Sequence, residues 1–305
     1  MTRVLIIGGG GMVGQKLAWR IAKEGLAGVL APNVTLFDMV FPENSAPGTQ
    51  RSGTLTDANA IAGLARDRFD IIFHLAAIVS GESEMNFDKG WAINMMANWH
   101  LFEALRAEHT ASDGAYVPRV VFTSSIAVFG GPYPEQISDE FLSAPQTSYG
   151  AQKACSELML TDFSRKGFID GLSLRLPTIC VRPGKANLAA SSFFSGIIRE
   201  PLNGLEAILP VDDTVRHWHA SPKAAAGFLC HAATLDTAVL EGRRALNLPG
   251  LSCTVAEQIE ALQRVAGTDA VARITRRPDS NIARIVDTWP RDFDPQRARA
   301  LGFQA

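Results

Sequence analysis

The chain has 305 residues, enough for two domains or for one large domain carrying an insertion. Apolar residues make up 47 % and charged residues 20 %, which excludes a disordered chain. With 29 basic and 31 acidic residues the formal charge is −2, so no basic nucleic-acid footprint is expected.

Met1-Thr2-Arg3 leads straight into the apolar run Val4-Leu5-Ile6-Ile7, without the apolar region of a secretory signal. That run reads as a strand. It ends in Gly8-Gly9-Gly10-Gly11-Met12-Val13-Gly14, after which Leu17, Ile21 and Ala22 recur at helical spacing. Val34-Thr35-Leu36-Phe37 reads as a second strand closing on Asp38, and residues 40–53 read as loop by composition. Buried strands are predicted at Asp70–Leu75, Val120–Thr123 and Leu172–Leu176, with helices at 57–67, 86–108 and 149–166 between them. The longest apolar stretch, Ile71 to Val79, is interrupted by His74 and falls far short of the ~18 residues of a membrane span. Beyond residue 176 the rhythm breaks, with a helix near 190–199, a strand over Val215–Ala220, a helix over 222–235 and a strand over Ala245–Leu248. Strands buried on both faces and alternating with helices predict an α/β fold with a doubly wound parallel sheet. The expected division is a nucleotide-binding domain over 1–176, with 212–248 returning to the sheet, and a smaller substrate-binding cap from 177–211 and 249–305. Four scattered cysteines without a C-x-x-C oppose a disulfide framework or a thiolate zinc site, so a cytoplasmic location is expected.

The glycine turn fits phosphate binding. One glycine permits the tight turn, one lets backbone approach a pyrophosphate, and one lets helix and strand pack closely. Gly8, Gly11 and Gly14 have that spacing, between a strand and a helix. The helix N-terminus then offers free N–H groups and the positive end of its dipole. Asp38, ending the next strand, would bind adenosine ribose hydroxyls and repel a 2′-phosphate, selecting NAD over NADP. A ligand-free glycine turn and a solvated strand-end carboxylate are the plainer alternatives.

Tyr149-Gly150-Ala151-Gln152-Lys153 sets a phenol and an ammonium at i and i+4 on one helix face. A nearby ammonium and a positive nicotinamide ring both favour the phenolate, and lowering its pKa by about three units asks for roughly 4 kcal/mol. Such a tyrosine takes a proton from an alcohol while hydride leaves. Thr123-Ser124-Ser125 closes a parallel strand, where open α/β sheets bind ligands, although Ser and Thr also cap strand ends for purely local reasons. His217 and His219 alternate around Trp218 without a supporting carboxylate or cysteine cluster, so no metal is expected; His219 is a candidate pocket residue. Trp91, Met95 and Trp99 form a helical stripe suited to a core or a dimer face.

In order along the chain, Gly8 to Gly14, Asp38, His74-Leu75-Ala76-Ala77, Asn94, Ser124-Ser125-Ile126-Ala127-Val128-Phe129-Gly130 and Tyr149/Lys153 resemble the extended short-chain dehydrogenase/reductases, the NAD-dependent epimerase/dehydratase group. The resemblance implies a Rossmann sheet and NAD as cofactor. It makes Ser125 the hydroxyl that orients the substrate oxygen, Tyr149 the general acid/base, Lys153 also the holder of the nicotinamide ribose, and Asn94 a support from the neighbouring helix. It places Met12, Val13, Leu55, Leu75, Ala76, Ala77 and Pro177 along the cofactor. Gly53-Thr54-Leu55 replaces the family's Gly-Asp-hydrophobic, which leaves the adenine contact open, with Asp57 nearby. Arg175-Leu176-Pro177-Thr178 also departs from the usual pattern.

Sugar-nucleotide dehydratases of the family carry Asp-Glu after the catalytic hydroxyl. Ile126-Ala127 stands there instead, and apolar side chains cannot serve as acid and base. Asn187-Leu188 and Arg216 match positions where epimerases grip nucleotide phosphates. Ser124 to Tyr149 and Leu174 to Gly184 look most like the branch that oxidises a four-carbon sugar acid such as D-erythronate at C2. On that resemblance Ser80, Ser125 and Asn187 line the substrate site, and Arg182, Arg216 or Lys185 pairs with the carboxylate. A nucleoside-diphosphate-sugar 4-epimerase and a non-catalytic NAD sensor stay open. The resemblance further implies a homodimer; neither a nucleic acid nor a membrane is an expected partner.

Overall fold

The structure, a computed structural model, describes residues 2–184 and 191–305. Strand β1 (Arg3–Ile7) is followed by α1 (Met12–Glu24), β2 (Asn33–Asp38), β3 (Thr49–Ser52), α2 (Ala58–Arg66) and β4 (Ile71–His74). Helices α3 (Ser80–Met85) and α4 (Phe87–Trp91), a π turn over Ala92–Met96 and α5 (Ala97–Ala111) lead to β5 (Arg119–Ser125). A short β6 (Ile137–Ser138), α6 (Ser148–Arg165) and β7 (Asp170–Leu176) follow. The remainder comprises β8 (Thr178–Ile179), α7 (Ser192–Leu202), β9 (Ala207–Leu209), β10 (Arg216–Ala220), α8 (Pro222–Thr234), β11 (Ala245–Asn247), β12 (Leu251–Thr254) and α9 (Val255–Ala266). It ends with α10 (Thr268–Val271), β13 (Ile274–Arg276), α11 (Ser280–Asp287), β14 (Phe293–Asp294) and α12 (Gln296–Ala300).

Seven strands form one parallel sheet in the order β11-β7-β5-β4-β1-β2-β3. Chain order reverses at β1, between β2 and β4, which opens a crevice at the carboxyl ends of those strands. Successive side chains of a strand face opposite ways, so β1 feeds two cores. Val4 and Ile6 pack with Leu17, Ile21 and Phe228 under α1 and α8. Leu5 and Ile7 pack with Leu101, Phe102 and Leu160 under α5 and α6. Both layers are fully buried, which explains the uninterrupted apolar run.

Three expectations change. Thr49–Ser52 is an edge strand paired with β2, not loop; its Thr-Gln-Arg-Ser sequence stays largely exposed, so no apolar pattern betrays it. The long helix over 86–108 is interrupted by the π turn at Ala92–Met96 and runs on to Ala111. Of the two later strands, β11 joins the large sheet beside β7, whereas β10 pairs with β8 and β12 in a separate three-stranded sheet. That small sheet closes over a third core, in which Phe194, Ile197, Leu209, Val255 and Ile259 are buried.

Candidate active site

At the crevice, Gly8 takes φ +86°, and a Cβ there would lie 2.7 Å from Ala76 N. A Cβ on Gly14 would lie 2.3 Å from Gly8 O, so glycine is what lets α1 press onto the turn. Gly11, the N-cap of α1, differs: a Cβ there would meet only Gly8 O, at an ordinary 3.4 Å. Nothing inside the protein demands glycine at this position. Open space above a helix N-terminus is the cradle that a pyrophosphate fills, and Met12 and Val13 begin the helix there. Asp38 is already oriented, its carboxylate accepting from Gly10 N at 2.9 Å and Met39 N at 2.7 Å. Gly8, Gly11, Asp38, Leu55 and Ala76 line one cavity. Leu75 and Ala77 line both this cavity and a second, larger one, so the two lie side by side. Asp57 is committed elsewhere, capping α2 through Asn59 N at 2.8 Å. The residues therefore fit NAD.

The larger cavity is walled by Ser125, Tyr149, Lys153, Pro177, Ser80 and Arg182. Ser125 ends β5 and caps the single helical turn Ile126–Val128, accepting from Ala127 N at 3.1 Å. Thr147 caps α6 through Gly150 N at 3.1 Å. A Cβ on Gly150 would lie 2.1 Å from Ala127 O, so the start of α6 is pressed against the turn after Ser125. That contact holds the phenol of Tyr149 beside the hydroxyl of Ser125. Lys153 is buried beneath, its Nζ donating to Thr123 O at 2.8 Å and lying 5.7 Å from the Tyr149 ring centroid.

The electrostatics modify the sequence expectation. Tyr149 keeps some solvent contact through the cavity, yet burial pushes its phenol up to about 12. The Arg182 guanidinium, then a hydrogen bond with Ser125, oppose that rise. Lys153 is not the leading cation, because burial lowers its own pKa to about 7, against a smaller opposing pull from Glu157. Glu157 is itself engaged by Arg175, whose Nη2 donates to it at 2.7 Å. His74 lies beneath the same floor, and burial, aided by the Lys153 charge, drops it to about 3.

Asn94 does not wall the cavity. Its Oδ1 accepts from Ile78 N at 2.9 Å, and its Nδ2 donates to Ser83 Oγ at 3.0 Å and Gln152 Oε1 at 2.8 Å. It ties the Leu75–Ser80 segment to α6. Arg216 is a correction: its guanidinium donates to Ser252 O at 3.2 Å, sits 3.4 Å from Glu257, and is absent from both cavity walls. The side chain lies on the exposed face of the small sheet, where Glu257 already neutralises it. Lys185, Asn187 and Leu188 lie outside the described residues. His217 rather than His219 reaches the cavity, and no metal-ligand cluster occurs among the described residues. Thr178, Tyr133 and the segment Thr288–Pro290 also wall the site. Nothing local in the sequence marks Tyr133 or Thr288–Pro290. The one available signal was Thr178, at the point where the Arg-Leu-Pro-Thr segment leaves the family pattern.

A doubly wound sheet with a glycine turn at its switch point, an acidic residue closing β2 and a Tyr/Lys pair beside a strand-end serine define a dinucleotide-binding Rossmann protein. Residues 4–240 match the NAD dependent epimerase/dehydratase family, and the chain belongs to it, with NAD as cofactor. It is 44 % identical over 309 residues to a D-erythronate dehydrogenase of Cupriavidus necator, covering 99 % of this chain and 94 % of that protein. It is 40 % identical to a D-erythronate dehydrogenase of Haemophilus influenzae, with the same coverage of 99 % and 94 %. A solved structure described as a nucleoside-diphosphate-sugar epimerase from Agrobacterium tumefaciens superposes with a TM-score of 0.94 at 53 % identity, covering 100 % of this chain and 90 % of that one.

Proposed function

We propose that the chain oxidises a short sugar acid of the D-erythronate kind at C2, with NAD as hydride acceptor. The observation that carries this reading is the 44 % identity to a D-erythronate dehydrogenase across 99 % of the chain. NAD, when bound, supplies the acceptor and a positively charged ring. Tyr149 Oη takes the proton of the C2 hydroxyl, and Ser125 Oγ holds that oxygen. Lys153 holds the nicotinamide ribose and adds positive charge beneath the phenol. Gly8, Gly11, Gly14 and Asp38 hold the dinucleotide, while Leu75, Ala77 and Pro177 shield it from water.

Of the three basic candidates for the carboxylate, Arg182 is the one that walls the cavity among the described residues. Its main chain is pinned by Ser195 Oγ, which accepts from Arg182 N at 3.0 Å, and by Arg199, which donates to Arg182 O at 2.9 Å. Burial lowers the pKa of Arg182, and a carboxylate beside it offsets that cost. Once so paired, Arg182 pulls less on the phenol, and the charge of the cofactor ring becomes the larger influence.

The A. tumefaciens likeness favours a second reading, epimerisation of a nucleoside-diphosphate sugar. Incubating the purified protein with NAD and either D-erythronate or UDP-hexoses separates the two. The first reading predicts stoichiometric NADH from the acid; the second predicts epimer formation without net NADH. A non-catalytic NAD sensor is disfavoured by the retained Tyr149/Lys153 pair. No helix among the described residues is long and apolar enough to cross a membrane, and all four cysteines are free, which supports a reducing cytoplasm. Met85, Phe87 and Leu158, exposed by 66, 59 and 73 % on α3, α4 and α6, suit a face covered by a second copy of the chain. Sedimentation at micromolar concentration distinguishes dimer from monomer.

A further inference from the structure

A hydrogen-bonded pair in the wall of the larger cavity has no part in the chemistry described so far. His217, on β10, is 2 % exposed and lies flat against Phe194, with ring centroids 5.2 Å apart and an interplanar angle of 3°. Its Nδ1 lies 3.1 Å from Pro290 O, and its Nε2 lies 2.7 Å from Thr178 Oγ1. A carbonyl oxygen only accepts, so Nδ1 carries the proton. Burial, with His219 beside it, holds the ring neutral, leaving Nε2 a bare acceptor. The Thr178 hydroxyl must therefore donate to Nε2. Its proton is spent inward, and no other hydrogen bond to Oγ1 occurs among the described residues.

Thr178 also walls the cavity that holds Tyr149 and Ser125. A hydroxyl whose proton is fixed can only accept on its remaining side. We propose that Thr178 is a specificity-determining residue that accepts a hydrogen bond from a substrate hydroxyl other than the one oxidised, and that His217 is the positioning residue that fixes its polarity. The device selects polyhydroxylated acids over acids lacking that hydroxyl. An acceptor-only oxygen in a walled site is left unpaired by a deoxy substrate, which costs more than the loss of one weak contact. His217 does a second job through Pro290. It joins β8, at the floor, to the Thr288–Pro290 wall, which Tyr133 also ties down by donating to Thr288 O at 3.0 Å. Floor and wall are thus held at one separation, which suits a short substrate.

This inference rests on the sugar-acid reading, and the test keeps the two apart. Wild-type protein, Thr178→Val, Thr178→Ser and His217→Phe are compared on D-erythronate and on its 3-deoxy and 4-deoxy analogues. Thr178→Val keeps the shape and removes the hydroxyl. It is expected to lower kcat/KM for D-erythronate about 10- to 100-fold, mostly through KM, while changing one of the two deoxy analogues less than about threefold. Thr178→Ser is expected to restore the wild-type discrimination. His217→Phe keeps the stack on Phe194 and frees the Thr178 proton, so discrimination falls while NAD affinity stays at the wild-type value. An equal loss on all three acids, or wild-type discrimination retained by Thr178→Val, overturns the proposal. Should the wild-type protein oxidise none of the acids, the sugar-acid reading itself fails, and this inference with it.

Discussion

The cofactor cleft and the substrate wall of this molecule are built by opposite strategies. In the cleft the critical groups sit within short stretches of chain: Gly8 to Gly14 in one turn, Asp38 one strand later, and Tyr149 and Lys153 on one turn of α6. In the wall, Thr178 with Arg182, His217, and Trp289 come from three separate segments that meet only through tertiary packing. The cleft is set by backbone conformation, with glycines where a Cβ has no room or where a ligand needs it. The wall is set by side-chain hydrogen bonds such as Thr178 to His217. Local constraints leave patterns in a sequence, whereas assembled ones leave single residues that look ordinary.

The largest expected effect tests whether the phenol does the work at the boundary of the two regions. Tyr149→Phe is predicted to lower kcat about 10³-fold with NAD affinity nearly unchanged, as titration by fluorescence will show. A loss below tenfold would move the acid/base role off this residue.

Acid should weaken both regions through their buried histidines. Burial lowers His74 to about 3 and His219 to about 4, and His217 also falls well below its ordinary value. Unfolding lets each histidine take up a proton below about pH 6.5, so the unfolded chain binds more protons there. Stability is therefore complete above about pH 6.5 and declines as pH falls toward the folded values. Between pH 7 and pH 5 the loss is expected to total about 2–6 kcal/mol, read from urea midpoints. A flat stability curve over that window would mean that these rings are solvated.

Two glycines separate packing from binding inside the cleft. Gly14→Ala should destabilise the fold by about 2–3 kcal/mol, because its Cβ has no room against Gly8 O. Gly11→Ala should leave the melting temperature within a degree or two and weaken NAD binding about 10-fold or more, because its Cβ intrudes only on ligand space. Matched effects of the two variants would erase the distinction.

The smallest predicted change, at Arg216, sharpens the wall by its contrast with Arg182. Arg182→Met should raise KM for the acid about 10- to 100-fold, whereas Arg216→Met, already paired with Glu257 away from the cavities, should change it less than about twofold. Steady-state kinetics on both variants suffices.

The same division governs what the sequence disclosed. Strands β1, β2, β4, β5 and β7 were legible because burial on both faces demands unbroken apolar runs. Strand β3 was not, since an exposed edge strand needs only backbone pairing with β2. The glycine turn, Asp38, Ser125 and the Tyr149/Lys153 pair stand out in the sequence because each proposed role fixes both residue type and spacing. Arg216 was misleading, because its identity and sequence position fit a carboxylate clamp while its contacts commit it to Ser252 and Glu257. The pull on the Tyr149 phenol was legible in kind but not in source. The i, i+4 spacing named Lys153, whereas burial weakens that cation and Arg182 supplies the larger pull in the free protein. Thr178 and His217, 39 positions apart, leave no periodicity by which sequence alone could join them.

The most direct test of the account is the absorbance of NADH formed when the purified protein meets NAD and D-erythronate at neutral to mildly alkaline pH. The account predicts one NADH per acid oxidised, with Tyr149→Phe silent under the same conditions. No NADH from any short sugar acid, together with interconversion of a UDP-hexose by the same preparation, would contradict it.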